Sequence, residues 1–336
     1  MTTPSGQISA SDIKAEFGEV GGTVPLGSYR IQEARGSLNL NIGDGIPGSG
    51  TISFDNMRNK RLNIVVDYYA DNANLNRTDN GDATMNANTR YNQQNERVHV
   101  IGGLKSKPNT TSGHRVRINV HQTLGGKKGD NVCALRTGNW DANTDLIVDV
   151  GSNGKIYGGG GDGGEGGNTD DAGNAGQSGA SGLGVDHNGT TVNVASGGLI
   201  SCGFGGGGGG GSGQQSDKGS NRRAGGGGGG GGQGYPAGSG GHRGVGNGGD
   251  AGDGSAGDLT EAGEGGGGAN NGGQAYGAGG GEGGSVGQAA DAGGNAQHAG
   301  GAGGAEGAGI RRTSGHTVHI NNSGTIHGVT NATGVS

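Results

Sequence analysis

From Arg61 to Val150 apolar and polar positions alternate in short runs. RLNIVVDYY, ERVHVIG, HRVRINVHQTL and TDLIVDV are rich in β-branched residues and bounded by Asn, Asp and Gly clusters. That pattern predicts strands with one face buried. A small antiparallel β domain over residues 61–157 is expected. A weaker repeat overlaps its end. DLIVDVGSNGKIYGGGG, TVNVASGGLISCGFGGGG and TVHINNSGTIHGV each give a strand, a short glycine-containing turn and an isoleucine among small or polar residues. The first two run directly into glycine tracts, so these strands form the platform from which the tracts leave and to which they return.

Beyond Tyr157 the alternation gives way to glycine. Of 91 glycines, 67 lie in the 152 residues from 158 to 309, about 44 per cent. Glycine buries no side chain and loses more backbone freedom on folding than any other residue. The tract either stays a flexible linker or folds by backbone packing alone. Register decides between the two. Asp162, Glu165 and Asn168 interrupt their tract at intervals of three, as do Glu282, Ser285 and Gln288, and Ala299, Ala302, Ala305 and Ala308. A linker needs no such spacing, whereas period three belongs to the polyproline II helix, which has no internal hydrogen bonds. One face would carry side chains and two bare faces would let neighbouring helices bond through their backbones. Collagen is excluded by the 5 prolines of the chain and by the broken Gly-X-Y register.

At least six such helices are expected between LISCGF and HTVHI, over 203–213, 224–234, 238–254, 262–273, 277–288 and 293–309. With alternating direction, the connections 214–223, 255–261 and 289–292 share the far end, and those at Tyr235 and Tyr276 lie near the platform. The tract 238–254 is long enough to hide an extra turn, which would reverse the later assignments. The expected fold is mainly β plus polyglycine II. It comprises an N-terminal attachment segment (1–60), the antiparallel β domain (61–157) and a glycine-rich sandwich of packed left-handed helices with closing C-terminal strands (158–336).

The remaining chemistry narrows the function. Net charge is -6 without a basic block, so no nucleic-acid partner is expected. Cys133 and Cys202 are read as free thiols. No secretory signal and no run of 18 apolar residues is seen. GGDGGEGGNTDD and GNGGDAGDGSAGD echo calcium-binding glycine-aspartate repeats but lack the apolar strand residue of each unit. His316 and His319 fall on opposite faces of a strand. GxGxxG matches arise trivially in polyglycine. No metal, cofactor or catalytic constellation is expected, and no enzyme.

The first 60 residues hold two echoes, SGQISASDIKAEFG and GSGTISFDNMRNK, with Ser11 or Ser53 placed to cap a short helical turn. This pair of SGxIS motifs resembles the attachment segments of tailed-bacteriophage virion proteins. A strand followed by GKIYGGGG resembles the start of the glycine-rich part of phage tail-fibre tip proteins. The whole is similar to the distal adhesins of T-even-type phages. That resemblance implies a virion protein, assembled in the host cytoplasm and released by lysis. Residues 1–60 would bind another tail or baseplate protein, and helix-joining loops would touch a bacterial outer-membrane protein or polysaccharide. The expected contact residues are Gln214, Gln215, Asp217, Lys218, Asn221, Arg222, Arg223, Asp258, Leu259 and Glu261. A virion connector using the array as a spacer, and an ice-binding protein presenting the Ala299–Ala308 face, are the competing readings.

Overall fold

The computed structural model describes residues 4–17, 26, 38–39, 50–59, 63–68, 83–84, 115–126, 128–129, 132–138, 142, 144–217, 220–247, 250–270 and 276–335. The predicted strand ERVHVIG lies outside them. The N-terminal echoes fold alike. Ser9, rather than Ser11, caps helix α1 (Ala10–Phe17): its N–H donates to Asp12 Oδ2 at 2.8 Å, and its Oγ accepts from the Asp12 N–H at 3.2 Å. Ser11 already lies inside the helix. In the second copy the Ser53 N–H donates to Asn56 Oδ1 at 2.8 Å, ahead of a short 3-10 helix (Phe54–Met57). Four residues after each capping serine, Ile13 and Met57 are fully buried in the main core.

The strands follow in rungs. β1 (Leu38–Asn39) precedes β2 (Asn63–Tyr68) and β3 (Ala83–Thr84). The next rung is β4 (Arg115–Val120), β5 (Thr123–Gly125) and β6 (Cys133–Arg136), and then β7 (Asp145–Val150), β8 (Lys155–Tyr157) and β9 (Ser181–Val185). β10 (Thr190–Val194) and β11 (Leu199–Ser201) begin a rung that closes only after the hairpin β12 (Gly213–Asp217) and β13 (Ser220–Ala224), with β14 (Ile310–Arg312). β15 (Val318–Asn322), β16 (Thr325–His327) and β17 (Ala332–Thr333) complete the stack. Equivalent strands of successive rungs form three sheets, β2-β4-β7-β10-β15, β5-β8-β11-β16 and β3-β6-β9-β14-β17. Every pairing within them is parallel. β1 adds to β2 antiparallel.

The expected antiparallel domain is therefore corrected to a three-faced parallel coil. The short turns do not reverse the chain. They turn a corner into the next sheet, and each strand pairs with its counterpart one rung on. Alternating burial makes the stack cohere. β7 buries Leu146, Val148 and Val150, and β10 buries Val192 and Val194 in register above them. Leu124, Ile156, Ile200 and Ile326 stack on the second face. Corners repeat as well: Leu199 donates to the Gly154 carbonyl and Thr325 to that of Gly198, both at 3.0 Å. Gly198 is required there, since a side chain would meet the Val150 and Gly151 carbonyls.

Both glycine-rich excursions leave from one corner, between the second and third sheets. Residues 158–180 join β8 to β9, and 202–309 join β11 to β14. Hydrogen bonds divide them into ten extended rods: rod 1 (158–168), rod 2 (171–180), rod 3 (203–212), rod 4 (225–234), rod 5 (236–246), rod 6 (250–258), rod 7 (261–270), rod 8 (276–285), rod 9 (288–296) and rod 10 (298–309). Donors turn through three directions in three residues. In rod 3, Gly203, Gly206 and Gly209 donate to Ala180, Gln177 and Asn174 of rod 2; Phe204, Gly207 and Gly210 donate to Gln233, Gly230 and Gly227 of rod 4; Gly208 and Gly211 donate to Asp291 and Gly294 of rod 9. Its carbonyls accept from rods 1, 8 and 10, so rod 3 has six neighbours; rod 4 likewise bonds to rods 1, 3, 5, 6, 7 and 8. The bonding places rods 2, 1 and 5 in one layer, 10, 3, 4 and 6 in the next, and 9, 8 and 7 in the third.

The longest glycine runs, 205–211 and 225–232, are thus the two rods enclosed on every side, and each of their glycines is buried. A methyl group at Gly209 would overlap the Glu165 carbonyl. Outer rods carry side chains where a direction is free: Glu165, Glu261, Glu264, Ala302 and Ala305 are exposed.

Eight rods lie between β11 and β14, where at least six were expected. The tract 238–254 divides into rods 5 and 6, at the extra turn its length allowed for, and rod 9 precedes the final tract. Rods must match the length of their neighbours to bond along it, and a 17-residue tract would overhang a ten-residue partner.

Cys133 and Cys202 are free and buried. Burial first, then the Glu306 charge, pushes the Cys202 thiol from an ordinary 9.0 to about 12. The folded state favours the neutral thiol, so this contribution to stability is whole below pH 9 and is lost as pH rises toward 12. At pH 8 a thiol reagent such as dithionitrobenzoate is expected to label neither cysteine in the native protein and both in denaturant; native labelling of Cys202 within minutes would contradict its burial.

Candidate functional site

Rod direction sorts the connections into two groups. Rods 1 and 3 leave the coil at Gly158 and Gly203, and rods 2 and 10 return to it at Ala180 and Gly309. Alternation then puts 168–171, 213–224, 247–250, 270–276 and 296–298 at the end remote from the coil, about 30 Å away at ~3.1 Å per residue. The turns at 234–236, 258–261 and 285–288 lie at the coil end.

Bonds at the coil end bear this out. Gly126 donates to the Tyr235 carbonyl at 2.9 Å, and Tyr235 to that of Gly158 at 3.0 Å. Gly234 donates to the Asp258 carbonyl at 3.1 Å. The Gln233 amide, 6% exposed, donates from Nε2 to Leu259 O at 2.7 Å and accepts at Oε1 from the Val286 N–H at 3.0 Å. Asp258 Oδ1 accepts from the N–H groups of Thr260 and Glu261, at 2.6 and 2.8 Å, which holds its carboxyl below the usual range. Lys128, from the loop after β5, reaches Asp162 on rod 1 at 2.6 Å and fastens the array to the coil.

The expected site residues therefore do not come together. Gln214, Gln215, Asp217, Asn221, Arg222 and Arg223 share the remote hairpin, in which Gln214 faces Arg223 and Asp217 faces Ser220. Lys218 lies outside the described residues. Asp258, Leu259 and Glu261 sit at the opposite end of the array. Tyr276, expected near the coil, is remote, 55% exposed and bridged to Asn270. The division of 238–254 into rods 5 and 6 carries the reason: one added turn exchanges the ends of the connections that follow it. The sequence reading missed the 168–171 turn, which flanks the hairpin, and gave the extra turn within 238–254 no part in the site. Asn168, the last member of the period-three series of rod 1, was the signal for the first of them.

The remote end carries polar groups on short, mutually bonded turns. Val245 donates to Asn168 Oδ1 at 3.0 Å, and Thr169 donates to the Val245 carbonyl at 3.0 Å. Among the described residues no group of His, Cys, Asp and Glu is arranged to hold a metal ion.

The family model of the phage tail fibre adhesin Gp38 matches residues 61–331. The match spans most of the 336 residues, and the chain belongs to this family of tail-fibre adhesins, host-recognition components of the virion tail. No curated protein and no solved structure matched in the corresponding comparisons.

Proposed function

We propose that this adhesin recognises the bacterial surface through the remote connections of the glycine array, with the array acting as a rigid scaffold of polyglycine II helices. The carrying observation is the hairpin 213–224, the longest connection at that end, rising from the two fully enclosed rods. Support for the helix type is the threefold rotation of inter-rod donor directions along each rod, which matches the three residues per turn of polyproline II. A binding residue set on this frame is held by bonds in six directions rather than by a side-chain core. Gln214, Gln215, Asp217, Lys218, Asn221 and Arg222 are the proposed contacts to an outer-membrane protein or polysaccharide. Asp258, Leu259 and Glu261 drop out because they face the coil end. Residues 1–60 are proposed to join another tail or baseplate protein, with assembly in the host cytoplasm.

Labelled full-length protein, applied to whole cells of a strain panel, tests this directly. The parent is expected to bind at least one strain saturably. Replacing 214–223 with a Gly-Ser segment of equal length is expected to abolish binding at an unchanged melting temperature, while the same exchange at 258–261 leaves it intact. Binding retained after the first exchange would refute the assignment, and a parent that binds no strain would favour the connector reading.

A further inference from the structure

Arg223 was expected among the contacts, yet its bonds point inward, to other loops. Its Nη2 lies 2.9 Å from Asp170 Oδ2 in the 168–171 turn, with the side chains 31% and 39% exposed. Its backbone N–H donates to Asn247 Oδ1 in the turn between rods 5 and 6, at 2.9 Å. Asp170, whose carboxylate meets the hairpin there, adopts a left-handed φ of 64°, uncommon for a residue with a side chain. The turn is anchored on both flanks. Ser212, at the root of the hairpin, donates from Oγ to the Asp171 carbonyl at 2.8 Å, and Thr169 donates from Oγ1 to the Val245 carbonyl at 3.2 Å.

Three of the remote loops are therefore fastened through one residue. We infer that Arg223 is a positioning residue: with Asp170 and Asn247 it latches the hairpin to the two flanking turns and sets the arrangement in which they meet the receptor. This inference rests on the remote end being the contact surface. Neighbouring side chains on a strand point to opposite faces. Arg222, exposed on the other face of the ribbon, is left to touch the receptor itself. A latch and a contact differ in how their losses combine. Removing either half of the Asp170–Arg223 pair releases the same loops, so the second loss adds nothing, whereas an independent contact adds its own.

The test uses purified full-length protein and whole cells of a strain on which the 214–223 exchange has been compared with the parent. Asp170→Asn keeps a residue that tolerates the left-handed backbone, and Arg223→Gln keeps most of the stem. Each is expected to weaken binding about fivefold or more without moving the melting temperature, the double variant no further than either single one. Arg222→Gln is expected to multiply with each of them. Single variants that bind like the parent, or a double variant whose loss is the product of the two, would overturn the latch. The contact surface would stand in that case, provided the 214–223 exchange had abolished binding on the same strain. If that exchange leaves binding intact, the contact surface fails and the latch fails with it.

Discussion

Gly229→Ala is expected to prevent the array from forming, while Gly267→Ala, the same chemical change 38 positions along the same material, leaves it as stable as the parent. Gly229 is central to rod 4: its N–H donates to Gly164 at 2.8 Å and its carbonyl accepts from Gly241 at 2.8 Å. A methyl group on its Cα would drive into the Gly207 carbonyl of rod 3. That obstacle is backbone, held in turn by its own neighbours, so the rods must part. Parting them lengthens the hydrogen bonds on that side, each worth about 0.5–1.5 kcal/mol net, and adds overpacking of 1–3 kcal/mol. A loss of about 4 kcal/mol or more follows. At Gly267 a methyl group meets nothing within 4 Å. There the smaller freedom of the unfolded alanine chain favours the variant by about 0.4–1 kcal/mol. Soluble yield and thermal melting of the two proteins decide the matter. If both melt like the parent, the close packing of the central rods is disproved.

The contrast between these two glycines also marks what the sequence made legible. Period three in Asp162, Glu165 and Asn168 announced a threefold rod, because side chains survive where one direction faces water. The unbroken run 225–232 announced complete enclosure, for the same reason. The repeat of DLIVDV, TVNV and TVHI announced a stack of like units. Strand direction was not legible: a half-buried strand alternates identically in parallel and antiparallel sheets, and Gly198 serves a corner as well as it would a reversal. Nor was the exact number of rods, beyond the fact that the length of 238–254 left room for one more turn. A tract of glycine and small residues turns without punctuation, so 247–250 looks like its surroundings. That single unmarked turn moved Asp258 and Leu259 from one end of the array to the other. The latch residues were visible only as polar letters, because Asp170, Arg223 and Asn247 are far apart in sequence and brought together by rods whose count had to be known first.

Ile310→Ala is expected to destabilise the coil and the array together. Ile310 is fully buried at the point where rod 10 becomes β14. It stands in register with Leu183 of β9, and its N–H donates to the Val329 carbonyl at 3.1 Å. The chain between Ser201 and Ile310 contains the eight rods of the second excursion, so the rung opened by β10 and β11 closes only here. Loop-closure entropy grows slowly with length, which makes so long an insertion tolerable, but its ends must still be held. Truncating a buried isoleucine to alanine costs about 2–5 kcal/mol. Rod 10 enters the coil through that strand and its Gly301, Gly304 and Gly307 bond to rod 3. A coil that loosens at Ile310 therefore loosens the central rod. One cooperative thermal transition, shifted down by several degrees, is the expected result, with Ile310→Val retaining most of the parent stability at a cost of about 0.5–1.5 kcal/mol. Hydrogen exchange should show Gly207 and Val148 losing protection by the same factor, since a single opening exposes both. If the alanine variant melts in two steps, with exchange at Gly207 unchanged, the array is stable without the coil and its closure by the C-terminal rungs is not what holds it.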